Sequence, residues 1–516
     1  MRIPAHPPDP RTWAARAAAL DAAAARVKAT AIASVYDPAG LFAVVAFGLY
    51  VALALTGAGG RALTVTYPLG CVVVGLFTYA RSPGTYIAFT WWLWLLTPFI
   101  RRVFDLKYGF HPTSPLLIGP LLVTGIAMFT IVRRRRMLRS SAYLPFFVAM
   151  TALAYAFLIG VLRQPVVAAT YDLLTWLTPL LFGLHLALEW QQFPRIRTVV
   201  SSSVLWGLLV TSIYGIIQFV DPQLWDRAWV VSAEMQSVGV PLPFMIRVFS
   251  TLNAPGPFSV MLVFALLLGL SAPQRWRALP LALGLVALIL TKGRSAWGAF
   301  VLGALVMQLR QPLRSLPRQW VALLAVILLA APVITQPRVM GVLTRRAATL
   351  RNVQEDNSYQ NRMESTRFAI SQMGKNPAGS GLGSYGGAGK LSSGAKGGFA
   401  LDSGPLEVFG IMGWIGGVLY TLALFAIILP IVRGRKILFE TFTSAAVSTV
   451  VALLATSLFG NIFNGVSGFF FWSAVGIATA GRTYASATEI AQRYKDHPGL
   501  PDRSGAVGSG RQPFAA

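Results

Sequence analysis

Residues 336–404 read QPRVMGVLTRRAATLRNVQEDNSYQNRMESTRFAISQMGKNPAGSGLGSYGGAGKLSSGAKGGFALDSG, and this polar stretch interrupts a chain that is otherwise dominated by long apolar runs. It contains nine Lys and Arg residues against four acidic residues. Apolar runs of a length that can cross a bilayer lie on both sides of it. A basic surface at the face of a membrane attracts anionic ligands. We therefore expect the chemistry of this protein to take place in this stretch, next to the membrane.

The composition of the whole chain indicates an integral membrane protein. Hydrophobic residues make up 55% of the 516 residues, charged residues only 12%, and the mean hydropathy is +0.60. A soluble protein of this length would carry far more surface charge. The net charge of +26 does not indicate nucleic-acid binding, because the basic residues form short clusters between apolar runs. The predicted fold is an all-α polytopic membrane protein with about 12–14 transmembrane helices.

Residue types that form disulfides and bind metals are scarce. Cys71, the single cysteine, lies within an apolar run, and the four histidines show no spacing typical of metal ligands. We therefore expect neither a disulfide framework nor a bound metal, and no other cofactor.

The alternation of apolar runs and basic clusters predicts a topology. Residues 1–37 are predicted as a cytoplasmic or interfacial segment without a cleaved signal peptide, and residues 38–335 as eleven transmembrane helices. A large periplasmic loop follows at 336–404, then C-terminal transmembrane helices at 405–481 and a disordered cytoplasmic tail at 482–516. With the N-terminus inside, nearly every Arg cluster falls at a cytoplasmic joint, as the positive-inside rule requires. This predicts a multi-pass protein of the bacterial inner membrane with its active site on the periplasmic side.

Some basic residues are predicted on the outer side, where that rule disfavours them. Arg247 and Asn253 belong to RVFSTLNAPGPFS at 247–259, immediately before a predicted span. Its Asn and prolines predict irregular backbone, which is tolerated at membrane depth where it lines a polar cavity, and Arg247 would point into that cavity. The alternative is a simple loop. For three further outward arginines the alternative to a functional role is snorkelling to lipid headgroups: Arg101, Arg102 and Arg163.

A second outward cluster lies in LTKGRSAWGAF at 290–300. Lys292 and Arg294 occupy a turn of a few residues between two apolar runs, so both stay near the membrane surface. We expect Ser295 to cap the next helix, whose N-terminal dipole also favours an anion. An arginine beside backbone N–H groups is suited to gripping a diphosphate. The alternative is a turn that faces lipid headgroups.

The polar stretch itself contains two further features. SYQNRMESTRFAISQMGKNP at 358–377 predicts a weakly amphipathic helix that carries Arg362 and Arg367. We expect the glycines that follow to bring backbone N–H groups close to a ligand, although this is not a Walker motif. These glycines are Gly379, Gly381 and Gly383.

Two carboxylates flank the start of the next span. Asp402 lies just outside it and Glu407 just within it, where an ionisable side chain is a functional candidate. The alternatives are a helix cap for Asp402 and an interhelical hydrogen bond for Glu407.

The order and placement of these motifs resemble the O-antigen ligase and O-antigen polymerase superfamily. The resemblance covers roughly residues 200–480 and depends on the GRSA turn, NPxGxGLGSYG and DSGPLEVFGxxGxxG. It implies a metal-independent glycosyltransferase that moves a glycan from undecaprenyl diphosphate to a sugar hydroxyl. The residues that would grip the diphosphate are Arg247, Arg294 and Arg362, with Lys292 and Arg367 beside them. The remaining predicted substrate contacts are Asn253 and Glu407.

One departure from the family pattern bears on the reaction. Ligases of this family usually carry a histidine just before the span that here contains Glu407, whereas this chain has Asp402 and Ser403 there. The chain is thus closer to the polymerase side of the superfamily. Asp402 is the best-placed carboxylate to accept the proton of the acceptor hydroxyl.

The predicted function is polymerisation of undecaprenyl-diphosphate-linked repeat units of an exopolysaccharide, capsule or O-antigen. The alternative is a ligase that transfers glycan to lipid A core or to protein. A second alternative is a transporter or flippase of lipid-linked sugars, which would predict inverted repeats and charges deep in several spans. The predicted partners are the lipid-linked donor, a glycan acceptor and membrane lipids, with no nucleic acid. A chain-length regulator and an export machinery are compatible with the same role.

Overall fold

The computed structural model describes residues 36–310, 373–393, 403–434 and 440–496, together with Leu401 and scattered positions between 331 and 371. Its α-helices, numbered α1 to α16, are Pro38–Leu53, Leu63–Arg81, Pro83–Tyr108, Ile118–Gly125, Met128–Arg133, Leu144–Arg163, Val166–Leu188, Phe193–Val220, Leu224–Ser232, Pro255–Leu270, Ala278–Leu290, Arg294–Leu309, Gly386–Ser393, Gly404–Arg433, Thr441–Thr456 and Gly465–Asp496.

Eight helical segments within the described ranges are long and apolar enough to cross a membrane. They are Pro38–Ala58, Gly60–Arg81, Pro115–Arg133, Ser141–Arg163, Val166–Leu188, Trp190–Val220, Gly404–Arg433 and Thr441–Phe459. Two shorter apolar helices, α10 and α12, have 16 residues each. These helices confirm the predicted all-α polytopic fold. The apolar run at 320–335, predicted as a further span, lies almost entirely outside the described residues.

Polar residues set the beginnings of the first long helices. The Asp37 carboxylate accepts a hydrogen bond from Gly40 N at 2.8 Å, and Pro38 occupies the first position of α1. Ser82 caps α3 in the same way, and Pro83 follows it. Proline fits there because the first helical N–H groups have no intrahelical partner. Short polar caps between apolar runs therefore fix where one span ends and the next begins.

Side-chain contacts between the loops that join the helices divide these loops into two groups. At joints predicted to be cytoplasmic, Arg81 pairs with Asp37 at 2.9 Å and Arg134 with Glu189 at 3.0 Å. At joints predicted on the other side, Lys107 donates to the carbonyl oxygen of Thr56. Each group brings together segments from the same predicted side, as expected for helices that alternate in direction. The compartment on each side stays a prediction.

Two of the outward arginines are buried in protein. Arg101 is 3% exposed and Arg102 is 1% exposed. Arg102 pairs with Asp226 at 3.2 Å, and Arg101 pairs with Asp105 at 3.2 Å. Since neither guanidinium reaches the lipid, the snorkelling interpretation is wrong for both. They tie α3 to its own last turn and to α9.

Candidate functional site

The segment between α9 and α10 is irregular, as its Asn and Pro content predicts, and it is held by side chains of neighbouring helices. The Gln218 Oε1 atom accepts hydrogen bonds from Phe249 N at 3.0 Å and Ser250 N at 2.8 Å. Arg102 donates to the Ser250 carbonyl oxygen, and Ser250 has a φ of 52°. Buried backbone polar groups need such partners inside a membrane protein. The irregular backbone is therefore a fixed support for the residues it carries.

Arg247 and Lys292 are brought together by this support. Arg247 Nε donates to the Thr291 carbonyl oxygen at 3.1 Å, and Lys292 Nζ donates to the Met245 carbonyl oxygen at 3.1 Å. A second Arg247 bond, from Nη1, reaches the Ser237 carbonyl oxygen at 2.9 Å. Backbone carbonyls position a cation without cancelling its formal charge. Two residues separated by 45 positions in sequence thus share one location.

Arg294 lies directly beside this pair, at the first position of α12. The residue at the N-cap of α12 is Gly293, whose N–H contacts Thr291 Oγ1 at 3.3 Å. The expectation that Ser295 caps this helix is wrong, because the helix begins one residue before it. Arg247, Lys292 and Arg294 form what we call the cationic cluster, at the positive end of α12.

Asn253 lies at the entrance to α10, two residues before Pro255. Its carbonyl oxygen accepts a hydrogen bond from Trp229 Nε1 at 3.2 Å. Its side-chain oxygen is buried and has no hydrogen-bond partner among the residues that the structure describes. This acceptor is a polar group that a ligand hydroxyl would satisfy.

The glycines of the polar stretch do not form a ligand cradle. Gly381 N donates to the Ile411 carbonyl oxygen at 2.9 Å, and Gly379 N donates to the Asn376 carbonyl oxygen at 3.0 Å. Gly383 N donates to Asp172 Oδ2 at 2.8 Å. Because these N–H groups bind protein acceptors, the expectation that they face a ligand is wrong.

Close packing explains why glycine occupies these positions. All three have positive φ angles, of 84°, 80° and 91° at Gly379, Gly381 and Gly383. A Cβ atom added at Gly381 would overlap the backbone of Gly160, and one at Gly379 would overlap that of Gly413. Residues 376–386, here called the glycine segment, are therefore wedged between α6, α7 and α14.

Arg163 anchors the same segment from α6. Its Nη1 atom donates to the Gly379 carbonyl oxygen at 2.6 Å and lies 3.3 Å from Asn376 Oδ1. Tyr155 OH donates to the Ala378 carbonyl oxygen at 3.2 Å. Arg163 thus binds protein as well as facing outwards, and its predicted alternative of lipid snorkelling does not account for these bonds.

Two buried carboxylates face this region. Glu407, in the first turn of α14, is 8% exposed, and its Oε1 atom lies 3.4 Å from Asn464 Nδ2. Asp172, on α7, is 4% exposed and lies close enough to interact electrostatically with Glu407. Asp172 is not among the functional residues predicted from the sequence. A lone acidic residue inside an apolar span is itself a signal of a role, and that signal was present.

The cationic cluster and Glu407 lie towards the same end of the molecule. Gly303 on α12 packs against Ala452 on α15, where an added Cβ atom would lie 2.9 Å from the Ala452 Cβ atom. The two helices run in opposite directions, since Arg310 at the end of α12 binds the carbonyl oxygen of Val432, shortly before α15 begins.

The direction of this helix pair shows towards which end the residues beyond it lie. Arg294 lies nine residues before Gly303, and α15 continues beyond Ala452 to Thr456, with a 3₁₀ turn to Phe459. Because the helices are antiparallel, both directions lead to the same end of the pair. Arg294 therefore lies towards the same end of the molecule as the segment that carries Asn461 and Asn464.

Three predicted residues have a more limited structural account. Arg362 and Asp402 lie outside the described residues, so their assigned roles stay predictions. Arg367 is in helical conformation with an exposed side chain. The N-cap of α14 is Ser403.

A comparison with known families identifies part of the chain. Residues 279–421 match the family model described as O-antigen ligase, while no curated protein matches the sequence significantly. The matched range contains Lys292, Arg294 and Glu407 but neither Arg247 nor Asp172. The match supports a membrane glycosyltransferase of the O-antigen ligase or polymerase type. The match at residues 279–421, less than a third of the chain, supports the resemblance to the O-antigen ligase and O-antigen polymerase superfamily.

Proposed function

We propose that this protein polymerises oligosaccharide repeat units carried on undecaprenyl diphosphate, at the periplasmic face of a bacterial inner membrane. The observation that supports the proposal most directly is the cationic cluster. Arg247 binds the carbonyl oxygen of Thr291, Lys292 binds that of Met245, and Arg294 begins the adjacent helix. Fixed positive charges at a helix N-terminus suit a diphosphate group.

The chemistry follows from where charge develops during transfer. As the bond between the anomeric carbon and the diphosphate oxygen breaks, negative charge grows on the leaving diphosphate. Guanidinium groups held in position stabilise that charge without reorganising, and a metal ion is not required for this. Attack by an acceptor hydroxyl from the opposite face inverts the anomeric carbon. Arg362 and Arg367 join the grip in this proposal through the family resemblance.

The choice of a polymerase over a ligase depends on the residues before α14. Asp402 and Ser403 occupy the slot where family ligases usually carry histidine, and residues 336–404 contain no histidine. The ligase remains the second candidate because the matching family model bears that description.

A reconstitution experiment separates these candidates. Purified protein in liposomes is supplied with undecaprenyl-diphosphate-linked repeat units alone, and the products are resolved by length. Chains of increasing length on the carrier lipid support the polymerase. Activity that appears only when lipid A core or an acceptor protein is added identifies a ligase, and the absence of any transfer rejects both.

A companion experiment in cells uses a strain that lacks this protein. Single repeat units left on the carrier or on the final acceptor support the polymerase. Long polymer that accumulates on undecaprenyl diphosphate supports the ligase.

A further inference from the structure

Glu407 is a buried carboxylate with no partner of opposite charge among the residues that the structure describes. None of the ion pairs formed within the described ranges includes it. It does not cap α14 either, because Ser403 is the N-cap and the Glu407 N–H donates to the Ser403 carbonyl oxygen at 3.0 Å. Burying an ionisable group at a membrane boundary is unfavourable unless it has a role. The carboxylate is thus positioned for a ligand rather than for packing.

Two amide side chains from the segment between α15 and α16 face this carboxylate. Asn464 Nδ2 lies 3.4 Å from Glu407 Oε1. Asn461 also lies beside the carboxylate, with its buried Nδ2 atom towards Glu407. Phe463 N donates to the Asn461 Oδ1 atom at 2.8 Å, so the Nδ2 atom is the end that faces the carboxylate.

Glu407, Asn461 and Asn464, here called the amide–carboxylate cluster, match the chemistry of a sugar. A hydroxyl can donate to the carboxylate while a neighbouring sugar oxygen accepts from the Asn461 amide. The Asn461 Nδ2 atom carries two N–H groups, so it can face the carboxylate with one and a sugar oxygen with the other.

The neighbouring carboxylate, Asp172, already accepts hydrogen bonds from groups of the protein. Asp172 Oδ2 accepts from Gly383 N, and Asp172 Oδ1 accepts from Thr175 Oγ1 at 3.1 Å. It therefore fixes the glycine segment instead of meeting a substrate. Since Asn461 and Arg294 lie towards the same end of the molecule, a sugar bound at Glu407 would lie at the same end as a glycan whose diphosphate is held by the cationic cluster.

We propose that the amide–carboxylate cluster binds the acceptor sugar and that Glu407, in place of Asp402, takes the proton of the attacking hydroxyl. The acceptor oxygen forms its bond to the anomeric carbon as its O–H bond breaks and the proton passes to a Glu407 oxygen. The bond from the anomeric carbon to the diphosphate oxygen breaks, and its electron pair leaves with undecaprenyl diphosphate. The products are the extended glycan and the free carrier lipid. This inference rests on the proposed function.

The test compares Glu407→Gln, Glu407→Asp, Asn461→Ala and Asp402→Asn with the wild-type protein in detergent micelles. Binding of undecaprenyl diphosphate reports the donor site, and transfer of glycan from undecaprenyl-diphosphate-linked repeat units to a soluble acceptor oligosaccharide gives kcat and the acceptor KM. We expect Glu407→Gln to bind the carrier lipid like the wild type and to lose about 10²- to 10⁴-fold in kcat, as for removal of a general base. Glu407→Asp keeps a carboxylate and recovers part of kcat. Asn461→Ala mainly raises the acceptor KM.

The matched control is Asp221→Asn, a carboxylate that is predicted on the same side, is 63% exposed and pairs with Arg227 at 2.7 Å. It should transfer glycan at the wild-type rate. The inference is overturned if Glu407→Gln keeps the wild-type kcat, or if Asp402→Asn causes the larger loss, and in both cases the proposed function stands. If the wild-type protein transfers no glycan from undecaprenyl-diphosphate-linked repeat units, both the proposed function and this inference are rejected. Thermal unfolding of each variant separates loss of fold from loss of chemistry, and Glu407→Asp serves if Glu407→Gln does not fold.

Discussion

Asp172 Oδ2 accepts a hydrogen bond from Gly383 N at 2.8 Å, and this bond joins the interior of α7 to the glycine segment 211 positions later in the chain. Both groups are buried. The segment lies beside α14, which carries Glu407, so the bond connects a membrane helix to the boundary of the proposed acceptor site.

Replacing Asp172 should loosen the glycine segment. In Asp172→Ala the Gly383 N–H loses its acceptor, and a buried donor left unpaired costs about 1–3 kcal/mol. Asp172→Asn keeps a side-chain oxygen and should lose less. Thermal unfolding in detergent measures the first effect, and hydrogen exchange at residues 376–386 should accelerate in Asp172→Ala. Equal exchange in both variants and the wild type would contradict this role for Asp172.

Gly381 should not tolerate a side chain. Gly381→Ala forces a left-handed backbone, which costs at least about 1–2 kcal/mol, and its Cβ atom overlaps the backbone of Gly160. The matched control is Gly387→Ala on α13, where an added Cβ atom meets nothing within 4 Å. We expect a clear drop in the unfolding temperature for the first variant and little change for the second. A similar drop in both would show that the segment responds to any substitution.

Removal of Arg294 should abolish transfer. Loss of one group that stabilises developing charge costs on the order of 10²- to 10³-fold in rate, and Arg294→Ala should show at least that loss. The same result is predicted for Arg362→Ala from the family resemblance. Arg227→Ala is the matched control, because Arg227 is predicted on the same side and its guanidinium pairs with the exposed Asp221. Normal polymer from both Arg294→Ala and Arg362→Ala would remove the diphosphate grip from the proposed function.

Glu189 should make stability depend on pH at the other end of the molecule. Burial alone would raise the pKa of Glu189, but the hydrogen bond from Arg134 and the nearby charges of His185 and Arg133 hold it below its ordinary value of 4.5. Because the pKa of Glu189 is lowered in the folded protein, the ion pair stabilises the fold at pH values above the ordinary pKa of 4.5. This stability is lost as the pH falls through the lowered pKa.

The variant Glu189→Gln isolates this contribution. The variant leaves Arg133 and Arg134, whose side chains are 45% and 28% exposed, without their anionic partner, so it should unfold at a lower temperature than the wild type at pH 7. The difference between the two proteins should shrink as the pH drops below the ordinary glutamate value. A difference that stays constant with pH would mean that the Glu189 charge does not stabilise the fold.

The sequence predicted the helices because hydrophobicity and chain length are local properties. The apolar runs at 63–80, 166–188 and 278–291 coincide to within one residue with the helices Leu63–Arg81, Val166–Leu188 and Ala278–Leu290. It also singled out Lys292 and Arg294, since charges confined to a short turn between apolar runs stay at the membrane boundary.

The sequence was a poorer guide where a group's role depends on a distant partner. The glycines at 379, 381 and 383 look like a ligand-binding loop in sequence, whereas their N–H groups bind Asn376, Ile411 and Asp172. Arg102 looks exposed to lipid in sequence, yet it is buried against Asp226, more than a hundred residues away. Neither partner can be read from the surrounding residues.

What the sequence determined by itself is a polytopic helical protein with basic residues at one set of joints, because the transfer of apolar side chains out of water is decided residue by residue. Only the tertiary structure decided which polar groups form hydrogen bonds within the protein and which can bind a ligand. Asp172 and Glu407 are both carboxylates near the ends of apolar helices. Packing gives Asp172 a backbone N–H from the glycine segment, while it leaves Glu407 facing only amides among the described residues. That difference arises from hydrogen bonds between segments far apart in the chain, which have short range in space and no signature in local sequence.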